Sequence, residues 1–106
     1  MPQLTIKGIG PEKVQSWYQQ LSQIVAQVSG ADRKDVKVDQ VSTVQFGGEE
    51  SFAKVEVLWL KGRSQQVQDE TAAAITAFLQ ERGHPFVQVT FTNLPAADFY
   101  ENGRHY

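Results

Sequence analysis

From Gln3 the chain alternates, with Leu4 and Ile6 on one side and Thr5 and Lys7 on the other, which is the two-residue period of a half-buried strand. Gly8 and Gly10 close that run. Pro11 suits the first turn of a helix, where its missing N–H costs nothing, and Glu12 complements the positive end of the helix dipole. The pattern then changes period. Val14, Trp17, Tyr18, Leu21, Ile24, Val25 and Val28 recur at three- and four-residue steps, while Gln15, Gln19, Gln20, Gln23 and Gln27 take the wet side. This predicts a long amphipathic helix that ends at Gly30. After a polar loop with Asp32, Arg33 and Lys34, Val36 and Val38 alternate with Lys37 and Asp39 as a second strand, expected to run irregularly toward Phe46. Gly47-Gly48 and Glu49-Glu50 mark a connection between two halves.

The second half repeats the plan. Val55, Val57 and Trp59 alternate with Lys54, Glu56 and Leu58 up to Lys61-Gly62. Ser64 is placed to cap a second helix whose inward stripe is Val67, Thr71, Ala74, Ile75 and Phe78, and Gly83 with Pro85 stops it. Val87, Val89 and Phe91 against Gln88, Thr90 and Thr92 form a fourth strand. Laid over each other with an offset of about 50 residues, the halves pair Leu4 and Ile6 with Val55 and Val57, a match of pattern more than of identity. Each strand-helix-strand length suits a right-handed crossover between parallel strands. The expected fold is therefore an α+β two-layer domain over residues 1–106: two consecutive β-α-β units (1–48 and 52–106), a four-stranded sheet and two helices on one face. The other sheet face would carry Thr5, Lys7, Lys37, Asp39, Glu56, Gln88, Thr90 and Thr92 together with Leu58 and Leu60. A ferredoxin-like domain shares this order of elements, so the pattern leaves both folds open.

Composition narrows the function classes. The formal charge is −2 and the basic residues are scattered, so the electrostatic footprint of a nucleic-acid binder is missing. No apolar run approaches the roughly 20 residues needed to span a bilayer, and Met1-Pro2-Gln3-Leu4 lacks the features of a signal peptide, which makes a cytoplasmic location the expectation. The chain has no cysteine, which removes thiolate nucleophiles, disulfides and thiol-ligated metals. His84 and His105 have no neighbours at metal-ligand spacing and are expected on loops or the surface, so neither a metal nor a cofactor is expected. Gly47-Gly48 lacks the Lys-Ser or Lys-Thr of a phosphate loop, and no nucleophilic triad is visible.

What remains is the N-terminus. Initiator methionine is expected to be removed before proline, leaving Pro2 as a free secondary amine at the start of a strand. Such an amine loses its proton more easily when buried or near other cations, and a neutral amine is a base.

Several segments carry a resemblance: Met1-Pro2-Gln3-Leu4, Val55-Glu56-Val57-Leu58-Trp59-Leu60, Gln65-Gln66-Val67-Gln68-Asp69 and the final Phe99-Tyr100-Glu101-Asn102-Gly103-Arg104-His105-Tyr106. Across essentially the full chain these are similar to a bacterial domain family of unknown function related in fold to 4-oxalocrotonate tautomerase and macrophage migration inhibitory factor. Gly62-Arg63-Ser64 also resembles the Gly-Arg-Ser at the strand-to-helix turn of small tautomerases. The resemblance implies a tautomerase/MIF-like fold, a homotrimer whose sheets face a central channel, and proton transfer beside a carbonyl with Pro2 as general base. It further implies that Arg63 and Lys37 bind a small anionic carbonyl compound. Lys37 stands where small tautomerases place an arginine and would supply the charge without the two-pronged hydrogen bonding. Arg63 lies in the second unit, where the first has Gly10-Pro11-Glu12, so its contribution to a Pro2 site is expected from a neighbouring subunit. A non-catalytic trimeric binding or scaffold protein of the same fold, and a ferredoxin-like small-ligand-binding domain, are the alternatives.

Overall fold

In the computed structural model, which describes residues 1–106, strand β1 (Gln3–Lys7) leads through Gly8 and Ile9 into helix α1 (Pro11–Ser29). Pro11 occupies the opening turn, and Gly30 ends the helix in the left-handed region, its N–H donating to the Ala26 carbonyl at 3.0 Å. A short 3-10 turn, Arg33–Asp35, then feeds strand β2 (Lys37–Val41). Strand β3 (Ala53–Leu60), helix α2 (Gln65–Glu81) and strand β4 (Val87–Leu94) follow. Ser64 caps α2 as expected, its hydroxyl accepting from the Val67 N–H at 3.2 Å.

The sheet order is β2-β1-β3-β4. β1 pairs parallel with β2, β3 pairs parallel with β4, and β1 meets β3 antiparallel, with Leu4 opposite Val57 and Ile6 opposite Val55. The two strands of each unit are thus immediate neighbours. A ferredoxin-like domain splits its β-α-β units by an intervening strand, so that alternative is excluded.

The alternation read from the sequence decides which face is covered. Leu4, Ile6, Val55, Val57 and Trp59 are fully buried under the helices, against Leu21 and Val25 of α1 and Ile75 and Leu79 of α2. Trp17 and Phe78 join the two helices edge to face, their ring centroids 5.4 Å apart. Tyr18, assigned to the apolar stripe from its spacing, lies exposed at its margin, and Leu79 takes a buried place that the stripe did not include. On the opposite sheet face Lys7 sits 3.0 Å and Lys54 3.9 Å from the Glu56 carboxylate. The hydrogen bond from Lys7 chiefly holds the Glu56 carboxyl below the usual carboxylate range.

Two local expectations change. β2 stops at Val41 because its partner ends there: Lys7 opposite Val41 is the last pair, and Gly8 turns away at φ +87°. Residues 42–52 therefore carry no regular structure despite their alternating sequence. At the C-terminus, strands β5 (Tyr100–Glu101) and β6 (Arg104–His105) form a small hairpin across Asn102-Gly103, both at positive φ. Asn-Gly is the standard chemistry of such a two-residue turn.

Candidate functional site

The candidate residues lie at the end of the sheet where β1 begins and β3 finishes. Pro2 continues the inward parity of Leu4 and Ile6 and is fully buried. Its carbonyl accepts the Lys37 N–H at 3.1 Å, extending the β1–β2 ladder by one bond. In front of it the Met1 ammonium donates to the Asp35 carbonyl at 3.2 Å. The antiparallel pairing of Gln3 with Leu58, carried one step further, brings Pro2 and Trp59 to the same end of the sheet.

Trp59 is the hub of this end. Its indole is fully buried, its Nε1–H donates to Asn93 Oδ1 at 2.6 Å, and its ring stacks on Phe91 with centroids 4.9 Å apart. The Arg63 guanidinium lies over the indole, 4.5 Å from the ring centroid. Arg63 follows Gly62, whose φ of +137° makes the sharp turn between β3 and α2. Its Nε–H reaches the Ser29 carbonyl in the last turn of α1, at 3.4 Å. Partial burial lowers the Arg63 pKa, yet a guanidinium remains charged throughout the physiological range.

Within its own chain Arg63 packs on Trp59 and reaches Ser29. Its charge at the start of α2, unfavourable to that helix, is offset by the negative end of α1 at Ser29. The Nη groups make no hydrogen bond within the chain and are the donors left for a ligand.

Lys37 is not brought beside the Pro2 ring. Its backbone N–H bonds to Pro2, and its exposed side chain has the parity of the polar sheet face that carries Gln3 and Thr5. The C-terminal hairpin stands near the same end: Tyr106 donates its hydroxyl to Glu101 at 2.8 Å. That hydrogen bond, burial and the charges of Glu101 and Asp35 together raise the phenol pKa. Asn93, Gln68 and Ser29 were missed from the sequence. Asn93 was legible in principle, since it has the inward parity of Val87, Val89 and Phe91 and is polar.

None of the cavities of the single chain is lined by Pro2, Lys37 or Arg63. The larger ones, of about 440 and 350 Å³, lie at the other end, around residues 43–54. His105 is exposed on the hairpin, whereas His84 is half-buried in the α2–β4 loop with its Nε2 closed to solvent and without a partner. Loss of hydration, and next the charge of Lys13, pushes the His84 pKa down. No group of acidic or histidine side chains is arranged to hold a metal ion. No helix is long and apolar enough to cross a membrane.

The same architecture occurs in proteins of known structure. A domain of unknown function from Sebaldella termitidis superposes with a TM-score of 0.87 at 24% identity, covering 100% of both chains. A fused 4-OT, an asymmetric trimer, gives a TM-score of 0.85 at 18% identity, covering 97% of this chain and 94% of its own. Macrophage migration inhibitory factor of Toxoplasma gondii gives 0.79 at 21% identity, covering 98% and 99%. At these identities the likeness shows the fold alone, which this chain shares with fused 4-OT and macrophage migration inhibitory factor. No protein of curated function matches the sequence. The sequence itself matches one family over residues 1–105, and the chain belongs to it: the domain of unknown function DUF1904.

Proposed function

We propose that this protein is tautomerase-like and moves a proton on a small enolisable carbonyl acid, with Pro2 as the general base. The observation that carries the reading is the placement of Pro2: fully buried at the head of β1, at the end of the sheet where Trp59 holds Arg63. With Met1 removed, the Pro2 nitrogen is a secondary amine, and burial favours its neutral form. The amine takes a proton from the carbon beside the substrate carbonyl, and the electron pair of that C–H bond moves into an enolate. The ammonium then returns the proton to another atom of the conjugated system, so nothing is gained or lost. Arg63 holds the carboxylate through its free Nη groups, and Lys37 adds positive charge at the same end of the sheet.

The proposed assembly is a homotrimer, with residues 1–106 acting as one unit. Val44 and Phe46, 78% and 95% exposed on the irregular 42–52 segment, support burial against another copy. The absence of a cavity at Pro2 in the single chain fits a site completed on assembly. A cytoplasmic location is part of the same proposal.

Met1 sets the competing reading. While it remains attached, the Pro2 nitrogen is an amide and cannot accept a proton, and the Met1 amine is engaged by Asp35. A chain that keeps Met1 would be a binding or scaffold trimer of the same fold. Intact mass of untagged protein, measured under native and denaturing conditions, decides both points. Trimers whose subunits start at Pro2 support the enzyme; subunits that retain Met1 support the scaffold, and monomers oppose both.

A further inference from the structure

Trp59 and Asn93 are direct partners in the β3–β4 register, and the indole N–H of one is fixed by the side-chain oxygen of the other. The Asn93 amide in turn donates from Nδ2 to Gln68 Oε1 at 3.2 Å, and Gln68 sits in the first turn of α2, four residues after the Ser64 cap. This closes a ring: the end of β3, the Gly62-Arg63 turn, the start of α2 and β4 are tied back to the indole that Arg63 covers. Phe91 packs on the Trp59 ring, Arg63 lies over it, and Asn93 blocks its rotation. The Arg63 Nε is already committed to Ser29. The plane of the indole therefore decides where the remaining Nη edge of the guanidinium points.

We propose that Asn93, backed by Gln68, is a positioning residue that acts through Trp59 to orient the Arg63 fork for a substrate carboxylate. This rests on the reading of Arg63 as the residue that binds the anion. The ligand class follows from the geometry left free: a planar carboxylate can engage both Nη groups of a guanidinium at once, and a lysine there cannot reproduce that pairing. Asn93 itself touches no substrate. Its loss frees the indole to rotate and lets the guanidinium leave the orientation that suits two parallel hydrogen bonds.

The test is a double-mutant cycle on pyruvate binding, read at equilibrium from the Trp59 indole N–H resonance and so independent of turnover. Asn93→Leu is expected to weaken pyruvate binding about fivefold, the scale of one exposed cation–π contact. Gln68→Ala, a milder variant that keeps the Trp59–Asn93 bond, is expected to weaken it about twofold. In an Arg63→Lys background both effects should vanish, because there is no fork left to orient. A loss of equal size in both backgrounds would overturn the positioning role while leaving Arg63 as the anion ligand. If Arg63→Lys itself leaves pyruvate binding unchanged, the ligand reading falls and the positioning role with it. Should Asn93→Leu fail to fold, the Gln68→Ala arm carries the same comparison.

Discussion

The Arg63 guanidinium lies 4.5 Å from the centre of the Trp59 ring, joining the turn into α2 to the buried end of β3. The contact gives each residue a second role. Trp59 is both a core side chain and the support of a charge, and Arg63 covers apolar surface while presenting unpaired N–H groups.

The two roles separate by mutation. Trp59→Ala removes a fully buried aromatic and is expected to destabilise the fold by about 3–5 kcal/mol. Arg63→Ala removes a half-buried cation on a surface turn and should cost about 1 kcal/mol or less. Urea unfolding checks both. If Arg63→Ala proves as costly as Trp59→Ala, Arg63 is a structural residue and its case as a ligand weakens.

Gly8→Ala tests the turn that ends the β1–β2 ladder. Gly8 has a φ of +87°, and a Cβ there would collide with the Phe52 carbonyl oxygen, a backbone atom that cannot swing aside. The strained dihedral alone costs on the order of 1–3 kcal/mol, and the clash adds to it. A thermal melt unchanged from wild type would show that residues 8 and 52 do not approach as described.

His84 predicts an acid sensitivity. Its folded pKa is lowered by loss of hydration and by Lys13, so the unfolded chain, with an ordinary imidazole near about 6.5, takes up a proton at a higher pH than the folded chain does. Stability should therefore fall as pH drops through that value and keep falling until the folded imidazole also titrates. Denaturant unfolding between about pH 7.5 and 5 should show a steeper loss for wild type than for His84→Asn. Parallel curves would mean that His84 is hydrated in the folded state.

The fold was legible because periodicity and burial coincide here: Leu4, Ile6, Val55, Val57 and Trp59 alternate in sequence and are the residues under the helices. Strand pairing was less so. Alternation through Ser42–Phe46 suggested more strand, but a ladder needs a partner, and β1 had already ended at Lys7. Asn102-Gly103 carries a hairpin signal of its own, too short to stand out beside the two longer β-α-β patterns. For the site, Pro2 and Arg63 could be picked out by chemistry and resemblance. Their relation through Trp59 could not, because it depends on the antiparallel pairing of β1 with β3, which joins the two units and leaves no mark in either one. Lys37 illustrates the converse: close to Pro2 along the ladder, it projects from the other face.

The central claim is that a free Pro2 amine removes a proton beside a carbonyl. The most direct measurement is deuterium incorporation into 2-oxobutanoate next to its carbonyl, followed by proton NMR in deuterium oxide. Three proteins are compared: one beginning at Pro2, the same chain with Met1 retained, and Pro2→Ala. Exchange by the first should exceed that of the other two by at least about 100-fold, the scale of a positioned general base. Equal exchange in all three, or none above buffer, would contradict the claim and leave a binding protein of the tautomerase fold.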